Sequence, residues 1–575
     1  MKDSAIFKVF VLTSTVALPF HLGCKTEKPK TADEDDYARP NIILIMADDL
    51  GYSDLRCFGG EIDTPNLDRL ARQGLRFTQF YNATRSCPTR ASLLTGLYPH
   101  QAGIGHMTED RGFPSYSGEL HASTPTIAEV LKEAGYLTMM TGKWHVTMNI
   151  WPEDPDENRP LNRGFDRYFG TLPGHGSFYD PVGLMKGNQF VEPEGDFYYT
   201  DAISEYSVKF IREAVEKDEP FFLYVAHLAP HYPLHAREEV IEKYLDTYAE
   251  GWDELRKTRY GRLIDKGLIE PSWKLSGRDS MSYSDGGQMV YPWEQDTLKS
   301  WQAHRMAVFA AMVDHMDQGT GMIIDELEAS GKLENTVIIF LSDNGASSEG
   351  HLYRTVERLG TPWKSRFHPD TTRDGRKVKP GVWPGVPLGG PETYGSYGAN
   401  WANASNTPFR LHKSWVHEGG ISTPFIVHWP AGIRVENEIR NQAGHVIDIF
   451  PTILELTGAN FPDRFNGSKT IPLEGISLVP HFNSNNTEER VLFWEHQGNK
   501  AIRKGKWKLV MEYDGEWNRT GPSVGRWELY NMETDRTETQ NLADKHPDIV
   551  KELEREWNLW SEYAGVVPWD QISNY

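Results

Sequence analysis

The chain has 575 residues, 39 % of them hydrophobic and 25 % charged, enough for one large globular domain and a smaller one beside it. Sixty basic residues against 81 acidic ones leave a formal charge of −21, a balance that repels nucleic acid and anionic membrane and argues against phosphate-backbone binding. An anionic substrate would require a cationic pocket built locally. Cys24, Cys57 and Cys87 are the only cysteines, so the sequence offers no disulfide framework.

In chain order, residues 1–24 read as a signal peptide. Lys2 and Lys8 precede the apolar run VFVLTSTVALPF, and HLGC closes it. Gly23-Cys24 resembles a lipoprotein processing site, which makes Cys24 a candidate lipid anchor. Residues 25–38 read as a solvated tether. The expected location is outside the cytoplasm, in the periplasm or at the cell surface of a bacterium, with an outer-membrane lipoprotein as the anchored form.

The folded part begins near residue 39. NIILIMADDLG (41–51) is a continuous apolar run that stops at two acids, the pattern of a buried parallel strand. The same grammar recurs in LTMMTGKWH (137–145), FFLYVAHLAPH (221–231) and VIIFLSDNG (337–345), and STPFIVHWP (422–430) adds a further strand. Helix-like segments separate them: 64–74, 126–135 and 306–331. Strands alternating with helices predict an α/β domain with a large, mostly parallel sheet, here given residues 39–485 with an insertion at about 232–300. Residues 350–405, rich in Gly, Pro and Trp, read as a pocket wall. From 486 to 575 the texture changes to short strands and a closing helix at 546–564, read as a smaller C-terminal α+β subdomain with an antiparallel sheet.

Ligands of open α/β sheets bind beyond the carboxyl ends of the strands. The polar residues that follow the apolar runs should therefore converge: Asp48, Asp49, Lys143, His145, His231, Asp343 and Asn344. One acidic pair alone would be a helix cap or a turn. Two pairs, Asp48-Asp49 and Asp343-Asn344, form a hard oxygen set suited to Ca²⁺, or less well to Mg²⁺. In TRSCPTRASLLTG (84–96), Pro88 fits a first helical turn and Gly96 a stop. Residue 86 would then lie at a helix N-terminus, where backbone N–H groups favour an anion, with Arg90 one turn later and able to reach back to it.

That stretch resembles the signature of the type I sulfatases: Cys or Ser, any residue, Pro, any residue, Arg, three residues, Leu-Thr-Gly. Anchored on Arg90 and Leu94-Thr95-Gly96, the signature residue is Ser86, and Cys87 falls in the variable slot. NIILIMADDLGY, TGKWH, APHYPLHA, AAMVDHMDQGTG, LSDNGA, NTPFRLHKSWVHEGG and KGKWKL also resemble family blocks, over roughly residues 39–565. The insertion EKYLDTYAEGWDELRKTRYGRLIDKGLI resembles that of bacterial arylsulfatases.

The resemblance implies an alkaline-phosphatase-like fold and a sulfuric ester hydrolase acting on an aryl sulfate or a sulfated carbohydrate. It further implies oxidation of Ser86 to formylglycine by a maturase, of the anaerobic radical type because the residue is serine. One hydroxyl of the aldehyde hydrate attacks sulfur; the second then loses its proton and expels sulfate as C=O re-forms. By the same resemblance Asp48, Asp49, Asp343, Asn344 and modified Ser86 bind one Ca²⁺, and Arg90 holds the hydrate. Lys143 and Lys413 clamp sulfate, His231, with Lys413, protonates the leaving oxygen, and His145 deprotonates the hydrate. Phosphate or phosphonate ester hydrolysis, and an unmodified carbohydrate-binding protein, are the competing expectations. Glu495-His496 and Asn499 are weaker candidates for substrate contact.

Overall fold

The computed structural model describes residues 39–279, 290–349, 369–513 and 525–573. The signal peptide with Cys24, the tether, residues 280–289 of the insertion and 350–368 of the expected pocket wall lie outside these residues.

The apolar runs become strands of one sheet. Its first eight are β1 (Asn41–Ala47), β2 (Leu75–Tyr81), β3 (Leu137–Lys143), β4 (Arg167–Thr171), β5 (Leu184–Lys186), β6 (Gln189–Phe190), β7 (Phe221–Ala226) and β8 (Thr336–Ser342). A separate short parallel pair follows, β9 (Lys379–Pro380) and β10 (Thr393–Tyr394). The sheet resumes with β11 (Ser422–His428), β12 (Glu438–Arg440) and β13 (Gly444–His445). Among the described residues it has eleven strands, ordered β12-β2-β11-β8-β1-β7-β3-β4-β5-β6, with β13 also pairing β2.

Strand β1 lies at the centre, parallel to β8 (Asn41 opposite Thr336) and to β7 (Ile42 opposite Phe222). Its alternate residues enter two cores. Ile43 and Ile45 pack with helices Tyr199–Lys217 and Lys299–Ala329; Ile42, Leu44 and Met46 pack with helices Ser86–Thr95, Ile127–Glu133 and Ile449–Thr457. Burial on both faces is why the strand is apolar from residue 42 to residue 47.

One strand breaks the all-parallel pattern near the site. β11 runs antiparallel to β8 and to β2, so the loop that precedes it reaches the edge where the parallel strands end. β2, LRFTQFY, is too polar to stand out as a buried run; Arg76 at its start bonds Cys57 O at 3.0 Å. The insertion carries helix Gly251–Asp265, whose buried Arg259 is 2.6 Å from Asp54 Oδ1 and 2.9 Å from Glu61 Oε2, pinning it to the segment after β1.

After a small hairpin, β14 (Arg464–Phe465) and β15 (Ser468–Lys469), the chain forms an antiparallel sheet. Its strands are β16 (Val491–His496), β17 (Asn499–Lys504), β18 (Trp507–Met511) and β19 (Trp527–Asn531), in that order. Helix Pro547–Ala564 covers one face through Leu553, Trp557 and Trp560; Tyr81, Val416 and Ile421 cover the other. A wholly buried ionic cluster joins this sheet to the segment just before β11. Lys508 Nζ is 2.8 Å from both Glu418 Oε1 and Glu538 Oε1, and Arg536 Nε is 2.7 Å from Glu418 Oε2. Burial pushes the Glu418 carboxyl up, but Lys508 and Arg536 outweigh it and hold the group below the usual range.

Removing one member of such a cluster leaves a buried charge uncompensated. Lys508→Met should therefore lower unfolding stability by about 3–5 kcal/mol in denaturant titration. Lys504→Met, at the solvent-facing pair with Glu552, should cost far less, and equal losses would show that the buried cluster is not what joins the two parts.

Candidate active site

Because β8, β1, β7 and β3 are parallel neighbours, their carboxyl ends open on one edge, and the residues that follow them meet there as their spacing suggested. Asp48 and Asp49 end β1, Asp343 and Asn344 end β8, and Lys143 closes β3. The oxygens interlock. Asn344 Nδ2 donates to Asp49 Oδ1 at 2.6 Å, and the Asp49 backbone N–H donates to Asp343 Oδ1 at 3.3 Å. Asp49, Thr84 and His145 adopt φ of 67°, 69° and 53°, left-handed conformations that non-glycine residues keep where the surrounding structure fixes them.

Ser86 is the first residue of helix Ser86–Thr95, after Arg85 in extended conformation. Its hydroxyl oxygen is 3.2 Å from Asp48 Oδ1 and 3.4 Å from Asn344 Oδ1. The helix ends at Gly96, which at φ 67° donates to Ser92 O; a Cβ there would lie 2.6 Å from Leu473 Cδ2. Arg90, one turn into the helix, engages the acids rather than the Ser86 hydroxyl. Its Nη2 is 2.9 Å from Asp343 Oδ2 and 3.4 Å from Asp48 Oδ2, and its Nη1 donates to Lys143 O at 3.1 Å.

The two lysines arrive from opposite sides. Lys143 Nζ bonds Asp48 Oδ2. Lys413, on the loop before β11, is 2.9 Å from Asp49 Oδ1, 3.2 Å from Glu349 Oε2 and 3.3 Å from His231 Nε2. Burial lowers both ammonium pKa values. For Lys143 burial prevails over Asp48; for Lys413 the two carboxylates outweigh it and the net direction is upward. Burial likewise raises the Asp48 carboxyl, but Lys143, His231 and Arg90 reverse the sign and hold it low. Asp343 stays raised, by burial and by Asp48 beside it.

His231 Nδ1 lies 2.6 Å from Tyr232 O, which can only accept, so Nδ1 carries the hydrogen and Nε2 faces Lys413 and Asp49. His145 is buried, and burial with Lys143 and Arg90 keeps its imidazole neutral; its Nδ1 has no partner. The ring fits because residue 174 is glycine: a Cβ there would sit 2.2 Å from His145 Nε2. Cys87 Sγ is 3.2 Å from that same Nε2, and burial pushes its thiol up to about 12, so it stays a thiol.

Two residues escaped the sequence reading. Glu349 holds Lys413 and, at 3.1 Å, Arg85, while Arg85 also donates to Ser414 Oγ at 3.3 Å. Neither sits at a strand end, so only the folded loops bring them in. Other histidines nearby serve structure: His235 bonds Phe178 N and Thr393 O, and His417 pairs with Glu528.

The donor set fits a hard divalent cation. Asp48, Asp49, Asp343 and Asn344 are at most 2 % exposed, and oxygens of Asp48 and Asn344 each lie within hydrogen-bonding distance of Ser86 Oγ. Ligand atoms of Asp48, Asp49 and His231 fall within 4.8 Å of each other.

The sulfatase family model matches residues 40–459, and the model for the C-terminal part of N-sulphoglucosamine sulphohydrolase matches 409–561. An uncharacterized sulfatase of Schizosaccharomyces pombe is 35 % identical over 562 residues, covering 92 % of this chain and 94 % of that one. An arylsulfatase of Klebsiella aerogenes is 33 % identical over 456 residues, covering 76 % and 91 %. The solved structure of Ps i-CgsB in complex with k-i-k-neocarrahexaose superposes with a TM-score of 0.62 at 25 % identity, covering 91 % and 93 %. With the signature Ser86-to-Gly96, the alkaline-phosphatase-like sheet and these matches along the chain, the protein belongs to the sulfatase family and is a sulfuric ester hydrolase.

Proposed function

We propose that the chain hydrolyses the sulfate ester of a sulfated carbohydrate, using residue 86 as formylglycine and one Ca²⁺ held by Asp48, Asp49, Asp343, Asn344 and the residue-86 oxygen. The observation that carries this reading is the position of Ser86: a helix N-terminus, with Asp48 and Asn344 at 3.2 and 3.4 Å and two lysines close by. The carbohydrate preference draws on relatives such as the N-acetylgalactosamine-6-O-sulfatase of Bacteroides thetaiotaomicron, 24 % identical over 580 residues.

The aldehyde supplies, through its hydrate, two hydroxyls on one carbon; the calcium ion supplies a Lewis acid for those oxygens and the sulfate. The remaining work belongs to the side chains. Lys143 and Lys413 set positive charge around the sulfate oxygens, in a protein whose overall charge would repel them. Lys413, held charged by Asp49 and Glu349, serves as an electrostatic clamp. His231 and Lys413 together protonate the leaving oxygen, the Lys413 ammonium 3.3 Å away supplying the proton and Nε2, with the ring fixed through Nδ1, passing it on. His145, neutral and with an unpartnered Nδ1, accepts the proton released as sulfate departs. Arg90 ties Asp343 and Asp48 to the helix, fixing the distance from the acids to residue 86.

Three measurements test the proposal. Mass spectrometry of the Ser86 peptide from its own cells, or after co-expression with a radical maturase, should show a loss of two hydrogens and reactivity toward hydrazides; active enzyme with intact serine would overturn the formylglycine step. Ser86→Ala should cut turnover of 4-nitrophenyl sulfate at least ~10³-fold without a change in melting temperature, whereas Cys87→Ala should stay within about ten-fold. Calcium should raise the melting temperature and a chelator lower it, and Asp343→Asn should abolish that response. A melt indifferent to calcium in the parent protein would remove the metal from the mechanism.

A further inference from the structure

The turn between β16 and β17, Glu495-His496-Gln497-Gly498-Asn499, reaches from the C-terminal sheet to the flank of the Ser86 helix. Most of its polar groups are tied down. Glu495 accepts from His100 Nε2 at 2.8 Å, from Gly498 N at 2.7 Å and from Tyr116 OH at 3.4 Å. Asn499 Nδ2 donates to His496 O at 3.0 Å, and its Oδ1 accepts from Tyr513 N at 3.1 Å. Gln497, at φ 51°, donates from Nε2 to His106 Nε2 at 3.0 Å, which leaves the hydrogen of His106 on the nitrogen facing Glu109.

His496 is different. Its ring stacks on His106, 5.3 Å between centroids and 18° between planes, yet both of its nitrogens are buried without a partner. The side-chain amide oxygen of Gln497, Oε1, beside it is also unpartnered. Buried polar groups are ordinarily satisfied, so the two idle ring nitrogens leave His496 with hydrogen-bonding capacity that nothing in the chain uses. The pair borders the catalytic centre: Met107, next to His106, meets Cys87 Sγ at 3.8 Å, and the charge of Arg85, the neighbour of Ser86, acts on both histidines. His496 is as fully buried as Lys143.

We propose that His496, with Gln497 Oε1 and with His106 as its stacking platform, is a recognition site for a hydroxyl group of the sugar that carries the sulfate. Burial keeps both imidazoles uncharged, so His496 offers one N–H donor and one lone pair, the complement of an alcohol, which also donates once and accepts once. A sulfate or carboxylate would instead call for the cations, and those stand at Lys143 and Lys413. The inference rests on the sulfatase reading of the Ser86 centre.

The test compares matured parent enzyme and His496→Phe, which keeps the stack and removes both nitrogens, on 4-nitrophenyl sulfate and on a panel of monosulfated hexoses and N-acetylhexosamines. The ratio of kcat/KM on the best sugar to that on the aryl sulfate should fall at least ~10-fold, chiefly through KM, and His496→Asn, which keeps a donor and an acceptor, should recover part of it. A second arm needs no variant: deoxy analogues of that sugar sulfate should include one that the parent turns over at least ~10-fold less efficiently, and His496→Phe should discriminate against it no further. An unchanged ratio, equal losses on both substrate classes, a parent indifferent to every deoxy analogue, or a parent active on the aryl sulfate but on no sugar overturns the recognition role. A matured parent active on neither class would instead overturn the sulfatase reading beneath it.

Discussion

Asp48, Asp49 and Asp343 stand side by side out of contact with water, and three carboxylates cannot remain charged there unless cations stand with them. Arg90, Lys143 and Lys413 answer that demand, each from a different part of the chain: the helix after β2, the end of β3 and the loop before β11. Much of the architecture can be read as the means of delivering them. The helix must start within reach of β1, which sets Ser86 against Asp48; β11 must run antiparallel, or its preceding loop would open at the far edge.

The C-terminal sheet belongs to the same economy of charge. Glu418 lies five residues beyond Lys413, and its carboxylate is held by Lys508 and Arg536. The loop that carries Lys413 is thus fixed by an ionic cluster whose other members, Lys508, Arg536 and Glu538, all come from the last quarter of the sequence. The turn containing His496 enters beside the Ser86 helix from that same sheet, so the smaller sheet acts on the site from two directions.

The parts legible in the sequence were those whose physical cause is local. A strand buried on both faces must be apolar, and a polar residue directly after it must lie at the sheet edge; that argument alone assembled Asp48, Asp49, Lys143, Asp343 and Asn344. Helix Ser86–Thr95 was legible from Pro88 and Gly96. Lys413 and the choice of Ser86 over Cys87 came from family resemblance, because neither periodicity nor strand position marks them. Arg85, Glu349 and the idle nitrogens of His496 were not legible in that way, since each depends on loops that meet only after the sheet has formed. Helical spacing places Arg90 one turn from Ser86, but its partners, the acids at the ends of β1 and β8, come from elsewhere in the chain and attract its guanidinium more strongly than a hydroxyl does.

Ser86 is 2 % exposed, its hydroxyl enclosed between Asp48 and Asn344 and its helix packed beneath the sheet edge. An enzyme that oxidised this side chain, as the proposed mechanism requires, would have to reach it before that enclosure forms. On the formylglycine proposal, modification would have to come first, on a nascent or unfolded chain, and folding second. Molecules that fold early would be stable, correctly shaped and permanently without activity, so the specific activity of a preparation would measure a race between oxidation and folding rather than the quality of the catalytic site.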